Sequence, residues 1–303
     1  MALSVTPMDA ALGAEISGID LTRPLGRADR AALRQAMLDH IVLVARDHKL
    51  TPEQLIAFGG AIGELGSHVL RQYHHRDHPE ILVLSNTVEN GRHVGLADAG
   101  SYWHSDISYK ARPSDATVLY ALEVPETGGD TRFINMTAVY EDLPADLRAR
   151  VDGLEAIHDY ARRSDRMAAE TGVRDALTEA QRRATPSVTH PAVRTHPETG
   201  RDALYINPGF TVGFVGLDAA DGDALLADLF ARAIQPRYIH THKWRVGDVL
   251  VWDNRCSMHL ATGGYGADQR RVIHRLIITG TEPYRGRPNR GDEDFSGAGI
   301  NHN

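Results

Sequence analysis

Cysteine and long apolar runs are scarce in this sequence, and both shortages limit what the protein can be. Cys256 is the single cysteine among 303 residues, so a disulfide framework within the chain is excluded. Such cysteine usage fits a reducing compartment and predicts a cytoplasmic protein. The longest apolar runs, such as Ile41 to Ala45, are too short to cross a bilayer. The N-terminal residues show no cationic leader followed by an apolar stretch, so no signal peptide is expected.

A net positive charge and two common catalytic motifs are also absent. The net charge is −7 and the pI is about 6.1, which argues against a nucleic-acid partner. Neither a phosphate-binding Gly-x4-Gly-Lys-Ser/Thr loop nor a Gly-x-Ser-x-Gly elbow occurs in the sequence. NTPase and serine-hydrolase functions are therefore set aside.

Three helices are predicted from apolar periodicity and capping residues. One covers Arg27 to His40 and has an apolar stripe. Another starts after Thr51, which with Gln54 forms a capping-box pattern, and is expected to fail near Gly59-Gly60. The third covers Ala219 to Ala233.

Short strand-like segments separated by Gly and Pro turns dominate the rest of the chain. They are Ile41–Ala45, Glu80–Ser85, Ala116–Val124, Thr131–Ile134, Ser187–Arg194, Ala203–Ile206, Arg237–His242, Val246–Trp252 and Arg271–Thr279. This pattern predicts a mainly β fold, a sandwich or barrel with flanking helices, in a single domain over 1–303. The polar segment 160–184 is either a solvated helical face or a lid over a site. The segment 285–303 is expected to be a loose tail.

A histidine and an aspartate stand two residues apart in Trp103-His104-Ser105-Asp106. On a strand, side chains at i and i+2 point to the same face, so His104 and Asp106 are expected to aim at one point. A second histidine, His259, follows the strand predicted to end at Trp252. Two histidines and one carboxylate form a facial triad that suits Fe(II) in oxygenases. A His-x-Asp pair alone is a weak signal, and the combination carries the prediction.

Two arginines lie in one strand-like run near the C-terminus. On a regular strand Arg271, Ile273 and Arg275 share a face. Two guanidinium groups on one face are unfavourable unless anions meet them. Structural salt bridges would satisfy this requirement, and so would two anionic ligands bound through paired hydrogen bonds.

With these residues, the chain resembles the taurine dioxygenase family of Fe(II)/2-oxoglutarate oxygenases, which includes aryloxyalkanoate dioxygenases. The matching pieces are Gly63-Glu64-Leu65, Trp103-His104-Ser105-Asp106, Gly128-Gly129-Asp130-Thr131, Trp252-Asp253-Asn254-Arg255 with His259, and Gln269-Arg270-Arg271 through Arg275. They follow the order of the family and cover the chain from about Leu12 to Gly280.

The resemblance implies a double-stranded β-helix, or jelly roll, of the clavaminate synthase-like type. It implies that His104, Asp106 and His259 bind Fe(II), and that Thr131 and Arg271 hold the distal carboxylate of the cosubstrate 2-oxoglutarate. O2 would be the oxidant. No catalytic residue beyond the metal ligands is expected.

The resemblance also implies a set of substrate contacts. They are His68, Ile107, Phe210 and Arg275, of which Arg275 would grip the acid group. A tyrosine and an asparagine that help to read taurine are replaced here by Arg71 and Gly100, so the substrate pocket is expected to differ from a taurine pocket.

The expected activity is hydroxylation of a small anionic substrate with release of succinate and CO2. Taurine or a related alkyl sulfonate is one candidate substrate, and an aryloxyalkanoate or another carboxylate is the alternative. A zinc hydrolase built on the same triad and a non-catalytic metabolite-binding jelly roll are alternatives of other classes. No membrane partner is expected, and family habit favours a homo-oligomer, either a dimer or a tetramer.

Further histidines and the cysteine admit two interpretations each. The histidine-rich stretch 72–78 fits an exposed loop better than a second metal site. His240 and His242 share a strand face, but no carboxylate is evident nearby in the sequence. Cys256 fits packing better than catalysis.

Overall fold

The computed structural model describes residues 3–68, 70–89, 91–96, 100–171, 177–266 and 268–286. The helices are α1 Arg27–His40, α2 Pro52–Ile62, α3 Met136–Glu141, α4 Ala145–Val151, α5 Tyr160–Thr171, α6 Glu179–Ala184 and α7 Ala219–Ala233. The strands are β1 Ser4–Pro7, β2 Ala14–Ser17, β3 Val42–Ala45, β4 Leu65–Gly66, β5 Leu82–Ser85, β6 Val88–Glu89, β7 Arg92–His93, β8 Ser114–Glu123, β9 Thr131–Asn135, β10 Glu155–His158, β11 Val188–Pro191, β12 Val193–Thr195, β13 Asp202–Leu204, β14 Thr211–Phe214, β15 Ile239–His242, β16 Val249–Asp253, β17 Ser257–Ala261 and β18 Val272–Thr279.

An eight-stranded sheet forms the centre of the fold. Its order is β1-β2-β3-β16-β8-β18-β4, and β5 also pairs with β18. A three-stranded sheet, β15-β9-β17, lies close to it, because the Phe133 and Trp252 rings of the two sheets are 5.4 Å apart. Within the described residues, pairing is antiparallel except between β2 and β3. The mainly β character with flanking helices is thus confirmed.

The two faces of the large sheet bury different side chains. Along β8, Val118 and Tyr120 pack with the residues of α1 and α2, whereas Leu119 and Ala121 pack toward the small sheet. This alternation is the period of two that a strand imposes. The space between the two sheets is therefore walled by side chains of β8, β9, β16, β17 and β18.

The predictions for α1 and α7 are confirmed at both ends. On α1 the buried residues are Leu33, Ala36 and Met37, a helical spacing. The α7 helix begins after Asp218, whose carboxylate accepts a hydrogen bond from the Asp221 amide.

The capping box at Thr51 is present, but the predicted end of α2 at Gly59-Gly60 is wrong, since the helix continues to Ile62. Close packing explains the first glycine. A Cβ built on Gly59 would lie 2.6 Å from Leu276 Cδ1 and 3.0 Å from Leu65 Cδ2. A Cβ on Gly60 would meet nothing within 4 Å. Gly59 thus lets the helix approach β18.

We expect Gly59→Ala and Gly60→Ala to change stability in opposite directions. Alanine favours a helix over glycine by about 1 kcal/mol, so Gly60→Ala should raise the free energy of unfolding by up to that amount. At Gly59 the added methyl group overpacks the core, so Gly59→Ala should lower the free energy of unfolding by about 1–2 kcal/mol. Urea denaturation of the matched pair measures both. Equal stabilisation by the two substitutions would contradict the packing found here.

Several elements were not predicted, among them β1, β2, β10, β14, β17, α3 and α4. Helix α3 starts directly after β9, with Asn135 as its N-cap accepting from the Ala138 amide. Strand β17 carries His259. Its side chains do not alternate between buried and exposed, because Ser257, Met258 and His259 are all buried. Short buried elements of this kind lack the periodicity on which the sequence prediction depends.

The segment 160–184 forms α5 and α6, and residues 172–176 lie outside the described residues. The predicted loose tail falls mostly on residues 287–303, which also lie outside them. Its first two residues are held, which corrects the predicted start: Arg285 pairs with Asp152 at 3.1 Å and with Asp202, and the Gly286 amide donates to Thr195 Oγ1. In the described part of the chain, no helix has the length and apolarity needed to span a membrane.

Candidate active site

The structure brings His104, Asp106 and His259 together. His104 and His259 exchange two backbone hydrogen bonds of 3.0 and 2.8 Å. Their Nε2 atoms lie 3.5 and 3.6 Å from the same carboxylate oxygen, Asp106 Oδ1. One ligand atom from each of the three buried residues lies within 4.8 Å of the others, a spacing that could hold a metal ion.

The local geometry differs from the expected one, because the segment around His104 is not a strand. His104 forms an isolated bridge to His259, and Asp106 begins a turn in which Ile107 has a φ of 58°. The Asp106 carboxylate is positioned instead by Thr117, whose hydroxyl donates to Oδ2 at 2.6 Å. The Asp106 amide donates to Asn254 Oδ1 at 3.3 Å. The side chains converge through these tertiary contacts rather than through strand alternation.

The protonation states suit a divalent cation. His104 Nδ1 lies 2.8 Å from the Tyr102 carbonyl, which fixes its proton there and leaves Nε2 as a lone-pair donor. Burial, with the nearby His104, holds the pKa of His259 well below its usual range. Burial alone would raise the pKa of Asp106, but Arg275 and the two histidines hold it well below its usual range. Two imidazole nitrogens and an ionised carboxylate are a donor set for Fe(II).

Thr131 and Arg271 line a cavity on one side of His104 and His259. Arg271 directly precedes β18, and its Nε donates to the Gly129 carbonyl at 3.2 Å. Burial lowers the pKa of its guanidinium, and within the described residues no carboxylate lies within 4.0 Å of it. Thr131 Oγ1 accepts from Trp244 Nε1 at 3.0 Å, so its own proton is free to donate. The pair can receive a carboxylate from a ligand.

The four predicted substrate residues line a second cavity, on the other side of His104. They are His68, Ile107, Phe210 and Arg275. Burial, followed by the charge of Arg275, lowers the pKa of His68 to about 3, so its imidazole is neutral. Its Nδ1 accepts from the Leu70 amide, which places the proton on Nε2. His68 can therefore donate a hydrogen bond to an anion without carrying charge.

Arg275 stands at the boundary of the two cavities and lines both. Its Nη2 lies 2.7 Å from Asp106 Oδ1, and its Nε is buried without a hydrogen-bond partner in the described part of the chain. A guanidinium with an unused donor beside a cavity is suited to bind an acid group.

Sequence reasoning missed the aromatic walls of the second cavity, which are Tyr102, Tyr109 and Tyr160. Tyr102 adjoins the Trp103-His104 motif, which was a usable signal; the other two had none. The departure Gly100 lines both cavities, and a Cβ there would lie 3.1 Å from His104 Cε1. The other departure, Arg71, lines neither.

A second buried set of possible ligands, His196, Asp253 and Cys256, also lies within 4.8 Å. Its donors are already engaged. Arg255 donates to both oxygens of Asp253 at 2.9 and 2.6 Å, and His196 Nε2 lies 3.0 Å from that carboxylate. Burial raises the pKa of the Cys256 thiol well above its usual range. This cluster is a structural ion-pair network, and Cys256 packs as expected.

The other histidines singled out in the sequence, His240, His242 and the stretch 72–78, have structural contacts. His242 has a carboxylate partner that the neighbouring sequence did not indicate: Asp248, six residues further along the chain, lies 3.1 Å from its Nε2. In the stretch 72–78, His75 packs against His78 and against His274 of β18. This stretch is not among the described groups whose three ligand atoms meet within 4.8 Å.

Comparison with known proteins identifies the family. Residues 4–277 match the family described as "Taurine catabolism dioxygenase TauD, TfdA family". The 2,4-dichlorophenoxyacetate dioxygenase of Cupriavidus pinatubonensis is 35% identical over 287 residues, covering 91% of this chain and 97% of that protein. Pentalenolactone F synthase of Streptomyces arenae is 34% identical over 291 residues, covering 93% and 97%. The structure of a taurine dioxygenase from Burkholderia xenovorans has a TM-score of 0.76 at 33% identity, with 93% of each chain covered. The chain therefore belongs to the TauD/TfdA family and is a 2-oxoglutarate-dependent dioxygenase that uses Fe(II) and O2.

Proposed function

We propose that the protein hydroxylates a small organic acid at an iron held by His104, Asp106 and His259. The observation that carries the proposal is the convergence of these three buried ligands beside two cavities, one of which contains Arg271 while Arg275 borders both. Bound Fe(II) supplies the activation of O2 that is coupled to conversion of 2-oxoglutarate to succinate and CO2. The protein positions both organic molecules and excludes water.

The cosubstrate belongs in the cavity of Thr131 and Arg271. Arg271, which has no carboxylate partner among the described residues, and the Thr131 hydroxyl, which is free to donate, can together bind the distal carboxylate of 2-oxoglutarate. The buried position strengthens this attraction, because water does not screen it.

The primary substrate belongs in the cavity of His68, Ile107, Phe210 and Arg275. Arg275 would bind the acid group, with the Nε2 proton of His68 as a second donor. Ile107 and Phe210 contribute apolar walls.

The aromatic lining favours an acid with an apolar body over taurine. The Tyr109 and Phe210 rings are 4.8 Å apart, and Tyr109 and Tyr160 are 4.5 Å apart. The rings are buried against one another and give the cavity an apolar wall, which an acid with an apolar body would contact and a two-carbon sulfonate would not. We therefore place an aryloxyalkanoate or a similar carboxylate ahead of taurine, the first candidate from the sequence. This order agrees with the naming of the Cupriavidus relative as a 2,4-dichlorophenoxyacetate dioxygenase.

A substrate panel tests this choice. We expect substrate-dependent succinate formation to be at least about tenfold more efficient, as kcat/KM, with phenoxyacetate-type acids than with taurine. Phe210→Ala should raise KM for the aryl acid by about tenfold or more through lost burial, with little change for alkyl sulfonates. Leu229→Ala, a core change on α7 outside the cavity, is the control for general destabilisation. Higher efficiency with taurine would overturn the aryl assignment.

The proposal also covers the fold type, the domain organisation and the segment 160–184. The eight-stranded and three-stranded sheets face each other around the site. This arrangement supports the double-stranded β-helix, or jelly roll, and a single domain over 1–303. Tyr160, the first residue of α5, lines the substrate cavity, which supports a lid role for 160–184. A cytoplasmic location and a homo-oligomeric state remain predictions.

A further inference from the structure

A third cavity lies on the helix side of the large sheet and shares no lining residue with the two catalytic cavities. It has a volume of about 380 Å³, within the size range of small-molecule sites. Helix α1, the end of α2, and the ends of β8 and β18 enclose it. We call it the helix groove; its lining includes Arg27, Arg30, Ala31, Arg34, Leu38, Ala61, Ile62, Ala116, Arg255 and Ile278.

Arginines on one face of α1 line the helix groove. Arg27, Arg30 and Arg34 are spaced i, i+3 and i+7, so they are neighbours along the helix surface. Arg34 is paired with Glu198 at 2.5 Å, and the same carboxylate also binds Arg255. Within the described residues, Arg27 and Arg30 have no carboxylate within 4.0 Å. Among the described residues these two cations thus have no direct ion-pair partner, and Asp115 and Glu198 supply the negative charge of the groove lining.

The three arginines of α1 are exposed, so solvent screens their charges, but with Arg255 they still outnumber the two acids of the groove, Asp115 and Glu198. Like charges at helical spacing repel each other. Arg27 also lies in the first turn of α1, where the helix dipole disfavours a cation. The whole chain carries a net charge of −7, so the cluster does not reflect a general surplus of basic residues. An anion in the groove would relieve both effects.

The groove also has apolar side chains, on α1 itself and at the end of α2, and these are only partly covered. Leu38 on α1 and Ala61 and Ile62 at the end of α2 are half-buried. A ligand with a charged end and an apolar body would match both parts of the surface.

We propose that the helix groove binds an amphipathic organic anion, with its carboxylate or sulfonate at Arg27 and Arg30 and its apolar body against Leu38, Ala61 and Ile62. The groove reaches the back of the iron site through β8. Asp115 and Ala116 line it, and the next residue, Thr117, donates to the Asp106 carboxylate.

Titration with anilinonaphthalene sulfonate, an amphipathic sulfonate with environment-sensitive fluorescence, tests the proposal. All titrations use the full chain in an Arg271→Gln/Arg275→Gln background, which removes both acid-binding guanidinium groups of the catalytic cavities. Arg30→Glu is compared with Arg150→Glu, which reverses an exposed arginine near the end of α4 that does not line the groove. Phenylnaphthylamine, the probe without its sulfonate, measures the contribution of charge. Circular dichroism and Tm confirm that each variant is folded.

We expect Arg30→Glu to weaken sulfonate binding by about tenfold. Arg150→Glu should change it by less than about twofold, because a distant exposed charge is screened. Binding of phenylnaphthylamine should not respond to Arg30→Glu. The proposal is overturned if Arg30→Glu binds the sulfonate as tightly as the background protein, if both reversals weaken it equally, or if the background protein itself does not bind.

Discussion

His104→Ala is expected to reduce 2-oxoglutarate-dependent succinate formation by more than about 100-fold. Substitutions of residues that merely orient a metal ligand typically cost 10–100-fold, so loss of a ligand should exceed that range. The buried His104 contributes an Nε2 whose direction is fixed by the Nδ1 contact to the Tyr102 carbonyl. Alanine leaves no donor in its place.

A matched substitution separates the metal role from loss of a histidine as such. His93, on β7, is exposed and lines neither catalytic cavity. His93→Ala should retain wild-type turnover and wild-type iron content, whereas His104→Ala should lose iron at equal protein concentration. Normal turnover by a folded His104→Ala protein would remove the triad from the proposal.

The two buried arginines are expected to fail in different ways when each is changed to alanine. Arg271→Ala should raise KM for 2-oxoglutarate by about 10–100-fold, the equivalent of one or two hydrogen bonds to a charged group. Arg275→Ala should raise KM for the primary substrate by a similar factor and leave 2-oxoglutarate affinity within about twofold. The assignment follows from position, because Arg271 lines only the cavity of Thr131, whereas Arg275, at the boundary of the two cavities, is the arginine that lines the cavity of His68.

Calorimetry with 2-oxoglutarate under anaerobic conditions measures the first effect directly, apart from turnover. Arg271→Lys is the intermediate case, since it keeps the charge and loses the paired hydrogen bonds. Loss of 2-oxoglutarate binding in Arg275→Ala, with binding retained in Arg271→Ala, would mean that the two roles are exchanged.

Local signals account for what the sequence predicted well. Helix α1 and helix α7 have apolar spacing and, at α7, the N-cap Asp218, so both ends were found. The ordered motifs selected His104 and His259, which are far apart in the chain. These features depend on residue type and on neighbours within one helical turn, or on recurrence of a known pattern.

Features set by distant contacts could not be predicted in this way. From the sequence alone, Gly59 is expected to break the helix, whereas the structure shows that it lets the helix pack closely against Leu276. Asp106 was assigned to a strand, but its direction depends on Thr117 and Asn254, which come from separate parts of the chain. The aromatic character of the substrate cavity likewise depends on Tyr160, which α5 brings over the site.

A crystal structure with Mn(II) and the cosubstrate analogue N-oxalylglycine tests the central proposal most directly. The expected result is one metal ion bonded to Nε2 of His104, Nε2 of His259 and the carboxylate of Asp106, with the distal carboxylate of the analogue on Arg271 and Thr131. A metal ion held elsewhere, for example by His196, Asp253 and Cys256, with the imidazoles of His104 and His259 left uncoordinated, would contradict it.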